Sequence, residues 1–164
     1  MSVTLRPVRA EDAARIAAIY NDYVLHTTVS FETAPLSADA MLARIESVTR
    51  GGYPYIVAVD DDRVVGYAYA HPWKERPAYN HTWETTVYLS PRSKGRGTGR
   101  ILMESLVAEC RRRGCHALIA CITAENSDSR RFHERLGFRK VSDFSEVGFK
   151  QGRWLDVTDY QLTL

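Results

Sequence analysis

The sequence predicts a mixed α/β (α+β) fold, and three observations predict it. Short β-branched and aromatic runs alternate with stretches whose apolar residues recur at helical spacing. Ala117-Leu118-Ile119-Ala120-Cys121-Ile122 is a continuous apolar run, as expected for a strand covered on both faces. Between a strand pattern at Thr85–Leu89 and a helix pattern at Met103, Leu106, Val107 and Cys110 lies Arg92-Ser93-Lys94-Gly95-Arg96-Gly97-Thr98-Gly99-Arg100, a basic glycine-rich turn. No linker, repeat or low-complexity segment interrupts residues 1–164, so one domain is expected.

In chain order, Val3–Val8 opens as a strand. Glu11 and Asp12 suit the first turn of a helix with Ile16, Ile19, Tyr20 and Tyr23 on its apolar stripe. After a loop through Ser30–Pro35, Ser37 is a good N-cap for a helix carrying Met41, Ile45 and Val48, ended by Gly51-Gly52. Tyr55–Val59 and Val64–Ala70, separated by three aspartates, read as a hairpin. Trp83–Leu89 is the next strand, the glycine turn follows, and its helix runs to Arg113 before Gly114. After the apolar strand, Asn126–Ser129 starts a helix with Phe132 and Leu136 inward and Gly137 at its stop. Phe138–Phe149 and Trp154–Leu164 close the chain as two strands around Gln151-Gly152.

Composition excludes several classes. Hydrophobic content of 45% and charged content of 26% are those of a soluble globular protein, and a net charge of +2 offers no basic stripe for nucleic acid. No apolar run approaches membrane-spanning length and no signal-peptide core follows Met1, so a cytoplasmic protein without membrane contact is expected. Cys110, Cys115 and Cys121 form no C-x-x-C pair, and the five histidines show no H-E-x-x-H spacing, so neither disulfides nor a metal is expected.

The glycine turn carries the first chemistry. Glycine leaves backbone amides free to approach a ligand. The helix N-terminus adds unpaired N–H groups, and Arg92, Lys94, Arg96 and Arg100 add full charges. This suits a polyanion such as a pyrophosphate, with a solvated basic turn as the alternative. A P-loop is excluded because Gly99 is followed by Arg100-Ile101, and a dinucleotide fingerprint because position 100 is Arg. What remains, Arg92-x-x-Gly95-x-Gly97, resembles the coenzyme A loop of GNAT-superfamily acetyltransferases.

The order of elements is the GNAT order. The resemblance implies one mixed, mostly antiparallel twisted sheet of about seven strands flanked by about four helices, with the fourth and fifth strands splayed around the pantetheine arm. It narrows at Ala70–Tyr79 (AHPWKERPAY), Trp83–Tyr88 (WETTVY), Ser30–Pro35 (SFETAP), Arg131–Phe138 (RFHERLGF) and Gly152–Val157 (GRWLDV). These are similar to the phosphinothricin and methionine-sulfoximine N-acetyltransferases. Two departures from that pattern, Pro77 after Arg76 and Trp154 beside Arg153, bear on the acceptor pocket.

N-acetylation needs a neutral amine, so a base is required near neutral pH. Glu84 is the candidate: it shares a strand face with Thr86 and Tyr88, and a carboxylate inside a strand is costly unless put to use. A solvated sheet face is the alternative; the resemblance places Glu84 in the amine pocket. It further implies that Val87, Tyr88 and Leu89 follow the acetyl and pantetheine arm. A backbone N–H at the strand end would stabilise the oxyanion. The turn from Arg92 through Lys94, Gly95, Arg96, Gly97, Thr98 and Gly99 to Arg100 would hold the pyrophosphate, and Asn126 would touch the arm while capping its helix. Where many GNAT enzymes carry a tyrosine to protonate the leaving thiolate, this chain has His133, either that acid or a partly exposed helix histidine. Lys74 and Arg76 beside Trp73 and Tyr79 suit a carboxylate, sulfoximine or phosphinate, or are solvated loop charges. Phe31 either walls the pocket or belongs to the core.

The expected activity is direct transfer of acetyl from acetyl-CoA, as cosubstrate, to the α-amine of a small amino acid or analogue; the resemblance implies a homodimer. Acetylation of peptides or proteins, and a non-catalytic acyl-CoA sensor, are the alternatives.

Overall fold

Seven strands alternate their apolar side chains onto two buried faces of one sheet in the computed structural model, which describes residues 2–164. The strands are β1 (Thr4–Pro7), β2 (Tyr55–Asp60), β3 (Arg63–Pro72), β4 (Thr82–Leu89), β5 (Ala117–Thr123), β6 (Arg139–Lys150) and β7 (Arg153–Thr163), ordered β1-β2-β3-β4-β5-β7-β6. The helices are α1 (Ala13–His26), α2 (Ala38–Arg50), α3 (Thr98–Arg112) and α4 (Ser127–Arg135). The element order and the mixed sheet are those the sequence predicts.

α1 and α2 cover one face, where Ile16, Ile19, Tyr23, Met41 and Ile45 pack on Val57, Tyr55 and Tyr67. α3 covers the other, with Leu102, Met103, Leu106 and Cys110 against Ala68, Ala70, Trp83 and Leu118, and Phe132 and Leu136 from the α4 segment join it. Leu102, Met103 and Leu106 have no exposed surface, so trimming any of them to alanine would cost about 2–5 kcal/mol. Ser37 caps α2 by accepting from the Ala40 N–H at 3.0 Å, and Asn126 caps α4 by accepting from the Ser129 N–H at 3.2 Å. Each cap is worth about 1 kcal/mol.

At the start of α1 the acidic pair does more than complement the helix. A 3-10 turn, Ala10–Asp12, precedes α1, and the buried Asp12 accepts from Arg6 at 2.8 and 2.9 Å and from the Arg9 N–H at 2.7 Å. β1 is thereby tied to the helix it feeds. β6 carries an irregularity between Phe144 and Gly148, where Glu146 takes φ +54° and its N–H donates to Asp156 at 2.8 Å.

One pairing in this sheet, β4 with β5, is parallel, and it requires the α3 crossover. It is short: Thr82, Trp83 and Glu84 face Ala117, Leu118 and Ile119. Beyond Glu84 the strands part, Thr85–Leu89 staying on β3 and Ala120–Thr123 on β7. The parting opens the sheet from one helical layer to the other.

Candidate active site

A cavity of about 500 Å³ fills the fork. Glu84–Tyr88 form one wall and Ala120–Thr123 the other. Tyr20, Val29–Glu32 and Arg44 close it on the α1/α2 side; Asn126, Ser129 and His133 close it on the α4 side. Residues of both helical layers line one space, so it passes through the sheet. The parting strands leave backbone groups of Thr85–Tyr88 and Ala120–Thr123 without each other as partners, available to an extended ligand.

Glu84 stands where the strands part. Its neighbour across the β3–β4 register is His71, whose Nε2 lies 3.2 Å from Glu84 Oε2. Glu84 is therefore held by a neighbouring side chain while it lines the cavity. Thr86 and Tyr88 share its face, and Tyr88 packs among Tyr20, Tyr23 and Tyr67 at ring separations of 4.9 to 5.8 Å. Val87 and Tyr88 line the cavity; Leu89 does not, its carbonyl accepting from Tyr23 Oη at 2.5 Å.

Across the fork, His133 is a buried residue rather than a partly exposed one, at 4% exposure between the rings of Phe132 and Phe138. Burial lowers its pKa, opposed in part by the Nδ1–H bond to the Ser129 carbonyl at 2.8 Å. A neutral ring with Nδ1 protonated presents Nε2 as an acceptor. Cys121 reaches the same wall, but burial pushes its thiol up to about 12, too high for a thiolate nucleophile at neutral pH.

The glycine turn lies beyond the cavity lining. Gly95 and Gly97 take φ of +74° and +83°, and a Cβ on either would meet nothing within 4 Å. Conformation and an open approach, not packing, call for glycine there. Gly97 is the N-cap of α3 and Thr98, buried, its first residue, so the first amides of α3 have no partner within the helix. Gly99 serves differently: a Cβ would lie 3.3 Å from Leu89 and 3.4 Å from Phe132, so its bareness lets α3 sit against β4 and α4. Lys94 lies 4.9 Å above the Tyr23 ring and Arg100 pairs with Glu104 at 2.7 Å. Arg92 lines another depression, with Arg15 and Arg63 against α1. The amides, Lys94 and the open glycines fit a pyrophosphate.

Residues 5–158 match the acetyltransferase (GNAT) domain model. The chain belongs to the GNAT acetyltransferases. It is an enzyme of the N-acetyltransferase type. It is 38% identical over 162 residues to the L-amino acid N-acyltransferase MnaT of Escherichia coli, covering 99% of this chain and 94% of that one. Its fold superposes on an acetyltransferase from Salmonella typhimurium, solved with acetyl-CoA, with a TM-score of 0.97 at 38% identity, covering 100% and 95% of the two chains. A phosphinothricin acetyltransferase from Sinorhizobium meliloti, also in complex with acetyl-CoA, gives 0.96 at 39% identity, covering 100% and 89%.

In this GNAT chain the residues singled out from sequence outside the glycine turn and Leu89 divide into two places. Glu84, Val87, Tyr88, Phe31, Asn126 and His133 meet at the cavity. Lys74, Arg76 and Tyr79 line a separate depression outside it, with Lys74 Nζ 4.5 Å above the Trp73 ring. Among the cavity residues not singled out from sequence are Tyr20, Glu32 and Arg44. Arg44 donates to Glu32. Burial alone would raise the Glu32 pKa, but bonds from Arg44 and Tyr20 take it below the usual carboxylate range. Tyr20 shares a 2.7 Å hydrogen bond with Ser30, and burial pushes its hydroxyl up to about 12. Lys150, buried on β6, donates to the Ser30 carbonyl at 2.5 Å and pins the loop that carries Phe31 and Glu32. One sequence signal did point there: Gly148, a glycine inside a strand pattern. A Cβ on it would lie 2.3 Å from the Phe31 ring, so Phe31 holds its place because position 148 has no side chain.

Proposed function

We propose that the enzyme transfers acetyl from acetyl-CoA to the α-amine of a small amino acid or an analogue of the phosphinothricin or methionine-sulfoximine type. The single observation that carries this reading is a carboxylate, Glu84, at the fork of β4 and β5, on the wall of a cavity sized for a small acceptor. The L-amino acid and phosphinothricin specificities of the relatives support the acceptor class. Acetyl-CoA supplies the acyl group already activated as a thioester.

Glu84 takes a proton from the acceptor ammonium, directly or through one water, and so frees the lone pair. The backbone of Val87 and Tyr88 orients the acetyl and pantetheine arm, and the amides around Gly95–Gly99, with Lys94, hold the pyrophosphate. Asn126 touches the arm while capping α4. His133 Nε2, an acceptor at rest, takes the second proton from the nitrogen once it has attacked and gives it to the departing thiolate. Arg44, anchored by Glu32 and with more N–H donors than Glu32 uses, receives the acceptor's carboxylate or phosphinate. Phe31 walls the pocket. Lys74 and Arg76 act on the acceptor's approach from the neighbouring depression.

The working form is a homodimer in the cytoplasm. Val141, Phe144, Val147, Phe149 and Trp154 expose 43 to 61% of their surface on the β6–β7 hairpin, an apolar face that a second copy would cover. Three free cysteines suit a reducing compartment.

Free-thiol release from acetyl-CoA against the twenty amino acids, methionine sulfoximine, methionine sulfone, phosphinothricin and short peptides tests the reading. Turnover with a small amino acid or analogue is expected. Turnover confined to peptides, or coenzyme binding without turnover, would overturn it.

A further inference from the structure

Every turnover of an N-acetyltransferase at neutral pH begins with an ammonium and ends with an amide and a thiol, so one proton must leave for bulk solvent. The Glu84 side chain is 28% exposed, and an acceptor seated in the cavity would cover it on that side. What stands beside it on the sheet then matters. His71 lies directly opposite Glu84 in the β3–β4 register, with Nε2 3.2 Å from Oε2. His71 is not among the residues lining the cavity, and 33% of its side chain is exposed. The imidazole thus joins a carboxylate on the cavity wall to the solvent outside.

Both ring nitrogens face acceptors. Nδ1 lies 3.0 Å from the Pro72 carbonyl, which fixes a proton on Nδ1, and Nε2 faces the carboxylate. One further proton therefore has a place between Nε2 and Oε2, where it can move from one to the other. The groups facing the imidazole are Glu84 from β4 and, on its own strand, the Tyr69 ring at 5.9 Å. Tyr69 and, from β5, Cys121 are also within electrostatic reach of Glu84.

We propose that His71 is a relay and positioning residue that takes from Glu84 the proton Glu84 has taken from the acceptor ammonium, and releases it to solvent. The step balances. The N–H bond of the ammonium breaks and an O–H bond forms on Glu84; that O–H breaks as an N–H forms on Nε2; the imidazolium then gives its proton to water. Glu84 and His71 end each cycle as they began, as carboxylate and neutral imidazole. Burial alone would lower the His71 pKa, but the Glu84 bond and charge and the Pro72 carbonyl raise it above the ordinary value. Below that raised value the dyad already carries a proton and Glu84 cannot take another; above it the pair stands as carboxylate and neutral imidazole, and the relay runs. This inference rests on the assignment of Glu84 as base.

The test is kcat against pH at saturating acetyl-CoA and acceptor, for the wild type, H71Q, H71A and E84Q. Saturation removes the titration of free amine from the profile. The wild-type acid limb is expected above the ordinary histidine range. In H71Q, which keeps an N–H toward Glu84 but cannot relay, the limb should move down by about one pH unit or more and the plateau fall about tenfold. Exogenous imidazole should restore part of the H71A rate. NMR titration of the His71 ring gives a readout independent of turnover: its raised value should fall in E84Q. A rate lowered equally at every pH, or unchanged, in H71Q while E84Q is inactive would overturn the relay and leave Glu84 as base. Full turnover in E84Q would remove the base itself, and an unshifted His71 titration in that variant would remove the coupling.

Discussion

The glycine turn and the cavity are built in opposite ways. The turn, Arg92–Arg100, is consecutive in sequence, works largely through its backbone, and leaves its cations exposed or paired on the surface, as Arg100 is with Glu104. The cavity gathers side chains from Tyr20 to Val157 and holds them half-buried, each fixed by another: Glu84 by His71, Arg44 by Glu32, Phe31 by Gly148. Charges in water are screened and individually weak, whereas charges held inside a cavity are not. Single changes should therefore be severe at the cavity and mild at the turn.

The largest effect is expected for E84Q, which removes the base and keeps the shape. Turnover should fall at least about tenfold, with acetyl-CoA affinity, measured by calorimetry, intact. Unchanged turnover would take Glu84 out of the mechanism.

Next comes the contest between Arg44 and Arg76. R44A should raise the acceptor KM about tenfold or more, as expected for loss of a charge-assisted contact. R76A should raise it less than about threefold, as for an exposed charge. The reverse order would move the acceptor's anionic group to the Trp73–Tyr79 loop.

G148A sharpens the comparison through packing alone. The new Cβ would displace the Phe31 ring at a cost of about 1–3 kcal/mol, lowering the melting temperature and raising the acceptor KM. Adding F31A should restore stability to that of F31A alone; a further loss in the double variant would show that the clash lies elsewhere.

At the turn, R96A and R100A should each weaken acetyl-CoA binding about two- to fivefold at low salt and less at high salt. No loss at low salt would mean that neither touches the phosphates.

The smallest effect concerns Glu125, which Arg153 grips at 2.7 and 2.8 Å and which Thr28 also bonds, so that its pKa lies at about 2. A carboxylate held below its ordinary 4.5 stabilises the fold above that value and loses the contribution as pH falls toward about 2. Because Glu125 is exposed, E125Q should reduce the difference in unfolding free energy between pH 6 and pH 2.5 by less than about 1 kcal/mol.

What the sequence determined by itself is what depends on neighbours a few residues away. Periodicity set the order of strands and helices, Ser37 and Asn126 announced helix starts, and alternation put Glu84, Thr86 and Tyr88 on one face. The glycine turn was legible because all of its parts are consecutive, although its equal spacing hid that Gly99 serves packing and that Arg92 points to another depression. Tertiary structure alone decided the rest. Whether β4 and β5 stay paired depends on how far Thr82–Glu84 and Ala117–Ile119 run together, which no local pattern encodes. His71 meets Glu84 only through the β3–β4 register, and Arg44 meets Glu32 only because α2 folds over the loop before it. Lys74 and Arg76 lie nearer Glu84 in sequence than Arg44 does, yet line a different depression. A side chain's reach is set by register and packing across the whole sheet, and those are properties of the folded chain.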